Sequence, residues 1–256
     1  TATNTITIQG NGAANTIVTA FGGQASGVKT DAVFKIIGAD YITLQNMRIQ
    51  ENSANTTTVA ATNNMTEFGV GLFLTSATDG AQNNIIQNCT ISMGSTYQNA
   101  IGIYSSSAHS SINATLAASA TSGTNLNNKI YGNIINNVAY GIYILSPANT
   151  STIIENGWDI GGISSATGNT ITFGNAILAD INTTSFSAVL PSGITIRNAT
   201  TGQNVRFNSI TSNSLSYAQS GGLGGIVCTN GTNPLGITHT NTFSNNTITL
   251  TNTGTT

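Results

Sequence analysis

The chain has 256 residues, of which only 5% are charged, and its formal net charge is −2. Six Lys and Arg residues over this length cannot form the basic stripe that tracks a phosphate backbone, nor a polybasic membrane patch, so neither nucleic acid nor a membrane surface is expected as a partner. We also expect no membrane insertion, because no run of about 18 apolar residues occurs. Apolar residues still make up 39% of the chain, which predicts a packed core beneath an uncharged coat of Thr, Ser and Asn.

Both ends of the sequence predict a longer protein. The chain begins at Thr1 without Met or a signal peptide, so we expect a mature or trimmed part of a larger chain. Residues 251–256 have the composition of a linker. We therefore predict one domain over residues 1–250 and a linker over 251–256 that leads to further domains, which would be partners of this one.

Short β-branched runs separated by Gly and Asn predict strands from the start of the chain, at Thr5–Gln9, Ile17-Val18 and Val33–Ile37. A figure then recurs in which one apolar residue is followed five positions later by another. The pairs are Leu44 and Ile49, Ile86 and Ile91, Ile130 and Ile135, Val205 and Ile210, and Phe243 and Ile248, with a looser copy at Ile171 and Ile177. The leading residues are 34 to 44 positions apart, a period typical of a solenoid.

A third strand in each repeat is indicated by a Gly-apolar-aromatic figure. It occurs as Gly71-Leu72-Phe73, Gly102-Ile103-Tyr104 and Gly141-Ile142-Tyr143, and as Gly225-Ile226-Val227 without the aromatic residue. Three short strands per repeat, stacked in parallel, predict an all-β fold, a right-handed parallel β-helix of about seven coils.

The spacing of five predicts a corner, since inward residues on one flat strand are an even number apart. Such a corner needs a residue that tolerates left-handed backbone angles, and these positions hold Asn46, Asn88, Gly132, Phe207 and Asn245. The next residue in each copy is Met47, Cys89, Asn133, Asn208 or Asn246. Asn side chains stacked there could hydrogen-bond from coil to coil, or Asn could serve only as a turn residue.

Three segments rich in Ser, Thr, Ala and Asn interrupt the repeat, at residues 52–67, 105–125 and 146–168. We expect loops on the outside of the solenoid there. Residues 112–118 could hold a short helix, and 176–179 are the only other helical candidate, although a continuing strand is favoured there. Cys89 and Cys228 are too far apart in the repeat for a disulfide, and both are interpreted as buried small hydrophobic residues.

The figure Asn128-x-Ile130-x-x-Asn133-x-Ile135, followed by Gly141-Ile142-Tyr143, resembles the repeat of the pectin-lyase-like superfamily. That resemblance implies the parallel β-helix, but the superfamily includes polysaccharide lyases, hydrolases, phage tailspikes and non-catalytic surface modules. The uncharged Thr/Asn/Ser style is most similar to β-helix segments of large secreted bacterial surface proteins. We therefore expect a non-catalytic structural or adhesion module, secreted or at the cell surface, that could bind a polysaccharide or cell-surface glycan. The alternative is a polysaccharide lyase or glycoside hydrolase.

An enzyme of this kind would need clustered acids. The resemblance implies several carboxylates around Ca²⁺ with an Arg or Lys base for a lyase, or two or three Asp residues on neighbouring strands for a hydrolase. No two acids of this chain share a column of adjacent repeats, and the best pair is Glu51 with Glu67, which flank one loop. His109 and His239 are far apart, so no metal site or other cofactor is expected. No catalytic residue is assigned.

Aromatic residues are the candidate binding residues. Alternation along the third strands predicts that Val70, Ile101 and Tyr140 point inward and that Phe73, Tyr104 and Tyr143 form an outward column on three consecutive coils. Such a column could stack sugars or receive a partner domain, unless a loop such as 105–125 covers it. Trp158 could be a sugar platform or could anchor its loop. A flat ice-binding face of Thr-x-Thr is disfavoured, because Arg48-Ile49-Gln50 and Ile134-Ile135-Asn136 interrupt it.

Overall fold

The computed structural model describes residues 4–23, 31–58, 62–97, 99–107, 117–146, 153–174, 191–197, 200–213, 223–229 and 240–251. Regular structure in this part of the chain is almost entirely β-strand. Two short 3-10 helices lie at Thr121–Gly123 and Ser165–Thr167.

The strands follow one another in groups of three, one group for each coil. The first three coils are β1 (Ile6–Gln9), β2 (Ile17–Thr19) and β3 (Ala32–Ile37); β4 (Ile42–Gln45), β5 (Arg48–Gln50) and β6 (Phe68–Phe73); and β7 (Ile85–Gln87), β8 (Thr90–Ser92) and β9 (Ile101–Ser105). The fourth is β10 (Lys129–Tyr131), β11 (Ile134–Val138) and β12 (Tyr140–Leu145). In the fifth, β13 (Glu155–Asn156) precedes β14 (Asp159–Ile160), β15 (Thr170–Phe173) and β16 (Ser192–Arg197). The sixth comprises β17 (Thr200–Thr201), β18 (Asn204–Arg206), β19 (Ser209–Ser212) and β20 (Gly224–Thr229), and β21 (Thr242–Ser244) with β22 (Thr247–Thr249) begins a seventh.

Stacking of these coils produces three parallel sheets. The first sheet has the order β1-β4-β7-β10-β14-β18-β21, the second β2-β5-β8-β11-β15-β19-β22, and the third β20-β16-β12-β9-β6-β3. Strands β13 and β17 form a separate parallel pair. The chain is thus a right-handed parallel β-helix with three strands per coil, as the sequence predicted.

One continuous interior column runs through the first sheet. The strand register aligns Ile8, Leu44, Ile86, Ile130, Ile160, Val205 and Phe243. The matching column of the second sheet is Val18, Ile49, Ile91, Ile135, Ile171, Ile210 and Ile248. Away from the two ends these side chains are buried and pack into one core cluster. The prediction that Leu44, Ile86, Ile130, Val205 and Phe243 belong to one continuous interior stack is confirmed, with Ile160 between Ile130 and Val205.

The fifth coil was assigned incorrectly from the sequence. Ile171 does not lead a repeat, because it pairs with Ile135 in the second sheet. The leading residue of that coil is Ile160, which lies within the segment 146–168 that was predicted to be an outside loop. Strand β14 is only two residues long, too short to be recognised by alternation.

Left-handed residues form the corner after the first sheet, as predicted. Asn46, Asn88, Phe207 and Asn245 have φ between 53° and 59°, and Gly132 has φ of 60°. A second column of such residues, not anticipated from the sequence, precedes the same sheet. It consists of Tyr41, Asn83, Asn127, Gly157 and Gly202, with φ between 55° and 76°.

An asparagine ladder occupies the corner between the first and second sheets over four consecutive coils. Oδ1 of Asn169 accepts from both N and Nδ2 of Asn133, each at 3.0 Å. In the same way, Oδ1 of Asn208 accepts from N and Nδ2 of Asn169, and Oδ1 of Asn246 accepts from N and Nδ2 of Asn208. Each Nδ2 also donates to a backbone oxygen of the preceding coil, as Asn169 does to Ile130 at 2.9 Å. These side chains therefore connect the coils and do more than turn the chain.

Five stacked glycines line the inner side of the third sheet. They are Gly69, Gly102, Gly141, Gly193 and Gly225, and each faces an isoleucine of the second sheet in the next coil. A Cβ at Gly141 would lie 2.4 Å from Cγ2 of Ile171 and 2.4 Å from the oxygen of Gly193. Only glycine allows the two sheets to approach this closely.

Other predictions had mixed outcomes. Residues 52–58 and 62–67 form an irregular loop, as expected. The helical candidates 176–179 and most of 112–118 lie outside the described residues. Cys89 is buried as predicted, but Cys228 is exposed because it lies on β20, the last strand of its sheet; the prediction for Cys228 was wrong.

Candidate functional site

A polar cleft of about 530 Å³ lies where two neighbouring coils leave the second sheet. Its walls come from the segments that follow β5 and β8, and its apolar part comes from Met65 and Met93. The full lining is Gln50, Glu51, Asn52, Ser53, Asn55, Thr56, Met65, Ser92, Met93, Gly94, Ser95 and Thr96. Amides, hydroxyls and one carboxylate on an apolar base are the groups that hydrogen-bond a sugar, so this cleft is the candidate functional site.

Glu51 supplies the carboxylate of this cleft. Its Oε1 accepts from the backbone of Asn52 at 2.8 Å, from Nδ2 of Asn55 at 2.9 Å and from Oγ1 of Thr66 at 3.0 Å. Its Oε2 accepts from the backbone of Thr66 at 2.7 Å. Four donors therefore hold the side chain, and Glu51 ties the beginning of the loop 52–67 to its end.

Glu67, the other member of the predicted pair, is fully buried and is not part of the cleft lining. Oη of Tyr97 donates to its Oε1 at 2.5 Å, as does Nδ2 of Asn63 at 3.0 Å, and the backbone of Asp31 donates to its Oε2 at 3.0 Å. Burial raises the pKa of Glu67 to about 7, against the opposing effect of the Tyr97 hydrogen bond. The carboxyl is therefore partly protonated near neutral pH and is held away from solvent.

Asp31 is a third acid in this region that the sequence did not indicate. Burial raises its pKa, Lys35 lowers it, and the negative charge of Glu51 raises it. Asp31 thus lies within electrostatic reach of both Glu51 and Glu67, whose carboxyls are engaged in structural hydrogen bonds. Glu51 and Glu67 lie near each other because one loop begins at Glu51 and ends at Glu67, and this loop was recognisable in the sequence.

Trp158 anchors its segment in the interior. The side chain is completely buried in the main core cluster, and its Nε1 donates to Oε1 of Glu155 at 2.8 Å. Glu155 is itself buried, and its Oε2 accepts from the backbone of Asn125 at 3.2 Å. Burial raises the pKa of Glu155 to about 8, so the carboxyl is mostly protonated at neutral pH. Sequence reasoning missed this pair, for which the only signal was an acid three positions before the single Trp.

The aromatic residues of the third sheet face away from the coil interior but are not exposed. Phe73, Tyr104 and Tyr143 have exposed fractions of 0%, 0% and 1% and belong to a cluster separate from the main core. Phe68 and Tyr104 stack with ring centroids 4.4 Å apart, and Tyr104 lies 5.7 Å from Tyr143. Nη1 of Arg197 also donates to the hydroxyl of Tyr143 at 3.2 Å.

Two details of that column were predicted incorrectly. In the strand register Tyr104 pairs with Gly71, so Phe73 is displaced from the column by two residues along β6. The ring of Phe73 instead covers the space beside Gly71. Ile101 and Tyr140, predicted to be inward, belong to the outer aromatic cluster. The reason is that Gly102 and Gly141 themselves face the interior, where a Cβ would meet Ile135 and Ile171, so the residue before each glycine points outward. Ligand binding by Phe73, Tyr104, Tyr143 or Trp158 stays a prediction, and it would require buried rings to become accessible.

The described residues contain one ion pair, between Arg206 and Asp159 at 3.1 Å, and Tyr131 donates to the same Asp159 at 2.8 Å. His109, His239 and Asp180 lie outside the described residues. Elsewhere, no three His, Cys, Asp or Glu side chains converge as a metal site would require. None of the helices within the described ranges has the length and hydropathy needed to cross a bilayer.

Comparison with protein-family models, with curated proteins and with solved structures finds no match.

Proposed function

We propose that this chain is a non-catalytic structural module, a stiff rod-like segment of a secreted or cell-surface protein. The observation that carries this proposal is the asparagine ladder, which joins the fourth to seventh coils along the axis through side chains that are buried except for the half-buried Asn246. From the fourth to the seventh coil, each coil is thus connected to the next by the strands, by the apolar column and by the amides, and the earlier coils are connected by the strands and the apolar column. A rod of this construction transmits force along its axis and presents regular faces to neighbours.

The pectin-lyase-like relationship belongs to this proposal. It is supported by the parallel three-sheet coil and by the Asn-x-Ile figure that builds the ladder. An extracellular setting is supported by the surface composition, since 5% charged residues leave a coat dominated by Thr, Ser and Asn. The adhesive role would use the cleft beside Glu51, whose amides and hydroxyls suit a neutral glycan.

A polysaccharide-acting enzyme is the second candidate, favoured by the position of Glu51 in the cleft wall. Two observations weigh against it. The Glu51 carboxylate already accepts from four donors, and Glu67 is buried beside Tyr97. A general acid and base for glycoside cleavage must both reach the glycosidic bond, which neither arrangement supports.

Incubation of the chain with neutral and acidic polysaccharides separates the two candidates. We expect no new reducing ends and no unsaturated uronate products from the wild-type chain. Product formation that disappears in Glu51→Gln would overturn the proposal in favour of the enzyme. Glu155→Gln serves as the control, because it changes a buried carboxyl that lies outside the cleft and outside the pair of Glu51 and Glu67.

The adhesive part of the proposal requires its own test. Ser95 is exposed and lines the cleft, so Ser95→Trp should fill the space without disturbing the core. Ser209→Trp is the control, since Ser209 is exposed on the second sheet away from the cleft. In a glycan-array screen, binding should be lost in Ser95→Trp and kept in Ser209→Trp. Equal binding by both variants would remove the cleft from the proposal.

A further inference from the structure

The carboxyl of Glu67, outside the cleft lining, connects three consecutive coils. Its Oε2 accepts from the backbone of Asp31 in the first coil. Its Oε1 accepts from Asn63 in the loop of the second coil and from Tyr97 in the third coil. Glu67, Asn63 and Tyr97, here called the Glu67 network, are all buried, so the carboxyl is held by protein groups and not by bulk water.

The Glu67 network holds both walls of the cleft. On one wall, Oδ1 of Asn63 accepts from the backbone of Met65 at 2.7 Å, and Met65 lines the cleft. On the other wall, the backbone of Tyr97 donates to the oxygen of Gly94 at 3.0 Å and closes a turn whose first three residues line the cleft. Nδ2 of Asn63 also donates to Oη of Tyr97 at 2.7 Å. The position of each wall therefore depends on side chains that do not themselves line the cleft.

The two walls meet where Gly94 passes Met65. A Cβ at Gly94 would lie 2.1 Å from Cε of Met65, so only glycine allows this approach. Because the walls are in contact here and are connected by the Glu67 network, a rearrangement of the network would change the shape of the cleft.

The environment of Glu67 opposes its negative charge. Burial raises the pKa of Glu67 to about 7. The hydrogen bonds donated by Tyr97, by the backbone of Asp31 and by Asn63 lower this pKa, and the negative charge of Asp31 raises it. Three donors therefore compensate only part of the cost of placing a carboxylate in the interior.

The other titratable groups in this region do not neutralise that charge. Tyr97 keeps its proton, because burial and the charge of Glu67 raise the pKa of its hydroxyl. Lys35 lowers and Glu51 raises the pKa of Asp31, so both act on the neighbour of Glu67. The described part of the chain contains no ion pair between Glu67 and a Lys or Arg side chain.

Ionisation of Glu67 favours separation of the walls. A conformation in which water reaches the carboxyl gives it the ordinary pKa of about 4.5, so this open conformation releases the proton more readily than the closed one. The stabilisation of the closed conformation is complete below pH 4.5 and is lost as the pH rises through about 7. Over this range the equilibrium shifts toward the open conformation by up to about 300-fold.

We propose that Glu67 makes the cleft pH-dependent, so that an uncharged glycan is held in acidic solution and is released as the solution becomes neutral and the walls separate. The inference rests on the proposed function for its ligand, whereas the change in the cleft can be measured without a ligand. Each of the two can therefore fail separately.

Amide hydrogen exchange followed by NMR from about pH 4.5 to about pH 8 tests the change in the cleft. Protection factors, which correct for the intrinsic effect of pH on exchange, should fall for Met65 and Tyr97 up to about pH 7 and then level off. In Glu67→Gln, which cannot ionise, they should stay level. Glu155→Gln is the control and should behave like the wild-type chain at these amides, because Glu155 lies outside the cleft. Level protection factors in the wild-type chain, or an equal fall in Glu67→Gln, would overturn the proposal.

Tyr97→Phe replaces Glu67→Gln if that variant does not fold. It lacks the hydroxyl that lowers the pKa of Glu67, so the protection factor of Met65 should continue to fall to a higher pH before it levels off. A fall that ends at the wild-type pH would overturn the proposal.

A glycan array probed at pH 5 and at pH 8 tests the consequence for binding. The wild-type chain and Glu155→Gln should bind more weakly at pH 8, and Glu67→Gln should bind equally at both. Equal binding by the wild-type chain at the two pH values would overturn the inference. If the amides respond as expected but no glycan binds at pH 5, the pH dependence of the cleft is supported and the proposed adhesive role is overturned.

Discussion

The corner between the first and second sheets is built in two different ways along the molecule. In the second and third coils it holds Met47 and Cys89, both buried and apolar, whereas the fourth to seventh coils hold the asparagine ladder. The preceding residue is left-handed in both regions, as at Asn46 and Asn245, except in the fifth coil, where Gly168 before Asn169 has φ of −65°. Outside the fifth coil the turn therefore depends on that residue, and the ladder adds a connection between coils that the turn itself does not need.

The change from one construction to the other occurs at Cys89. Its backbone donates to Oδ1 of Asn133 at 3.0 Å, so the first amide of the ladder also serves the last apolar residue. Above it, Sγ of Cys89 lies 3.8 Å from the oxygen of Leu44, where an amide would donate a full hydrogen bond. Substitutions on either side of Cys89 can separate the contributions of apolar packing and of the ladder.

The largest effect is expected for Asn169→Leu in the middle of the ladder. The change removes an acceptor for two donors of Asn133 and a donor to Ile130, all buried. The N–H of Asn133 would be left without a partner at a cost of about 1–3 kcal/mol, and each of the other lost hydrogen bonds contributes about 0.5–1.5 kcal/mol, so we expect a loss of roughly 3–5 kcal/mol in the free energy of unfolding. Urea denaturation of the wild-type chain and of Asn169→Leu measures this difference in the free energy of unfolding.

The matched control is Met47→Leu, a volume-conserving change in the same column that should cost less than about 1.5 kcal/mol. Equal losses in Asn169→Leu and Met47→Leu would contradict a special role for the ladder.

The buried acid Glu155 should make the stability of the fold depend on pH. The pKa of Glu155 is raised from 4.5 to about 8, so the folded state holds a proton that the unfolded state releases above pH 4.5. Stability should therefore be greatest below pH 4.5 and should fall, by up to about 4 kcal/mol, as the pH rises to 8. Glu67, with a pKa of about 7, adds to the fall. Glu155→Gln should flatten the profile between pH 4.5 and 8, and an unchanged slope would contradict the assignment.

A smaller gain is expected at the left-handed corner. Phe207 has φ of 59°, where Asn46, Asn88 and Asn245 occupy the equivalent position. Left-handed backbone costs most residues about 1–2 kcal/mol, and Asn less, so Phe207→Asn should stabilise the fold by up to about 1 kcal/mol. The midpoint of thermal unfolding should rise. A decrease would mean that packing of the half-buried ring outweighs the backbone preference.

The smallest effect is expected for Cys89→Asn, which would extend the ladder by one coil. The new Nδ2 would donate to Leu44, and Oδ1 would accept from the backbone of Met47, which now approaches the weaker thiol acceptor. One additional buried hydrogen bond contributes about 0.5–1.5 kcal/mol before the cost of burying the amide, so the net gain should be below about 1 kcal/mol. Chemical denaturation of the two chains side by side measures the difference, and a clear loss would show that the ladder cannot extend into this region.

The regular coils were predictable because two kinds of residue recur at fixed spacing. Isoleucine marks the interior columns, and Asn or Gly marks the left-handed corner, so the register of the first sheet followed for Leu44, Ile86 and Ile130. The fifth coil could not be predicted, since β14 has two residues and Trp158 takes the position that Asn128 holds one coil earlier. There the pattern was lost because packing of a large side chain replaced the repeat.

The candidate site was predictable only in part. Glu51 and Glu67 could be paired because they flank one loop, but the hydrogen-bond partners of Glu67 include Tyr97 and Asp31, which are remote in sequence. The burial of Tyr104 and Tyr143 also could not be derived from alternation, which indicates the face of a sheet but not what lies above it. Local patterns specify direction, whereas accessibility is a property of the whole chain.

The stacked glycines determine which insertions and deletions the sequence of this chain can accept. Each glycine accommodates the isoleucine of the following coil, so the contact between neighbours is the same at Gly69 and Ile91 as at Gly193 and Ile210. Removal of one complete coil would bring a glycine against a different isoleucine of identical shape. A deletion of one or two residues within a strand would instead set a side chain where no space exists. Duplication and loss of entire coils are therefore the changes that this architecture tolerates.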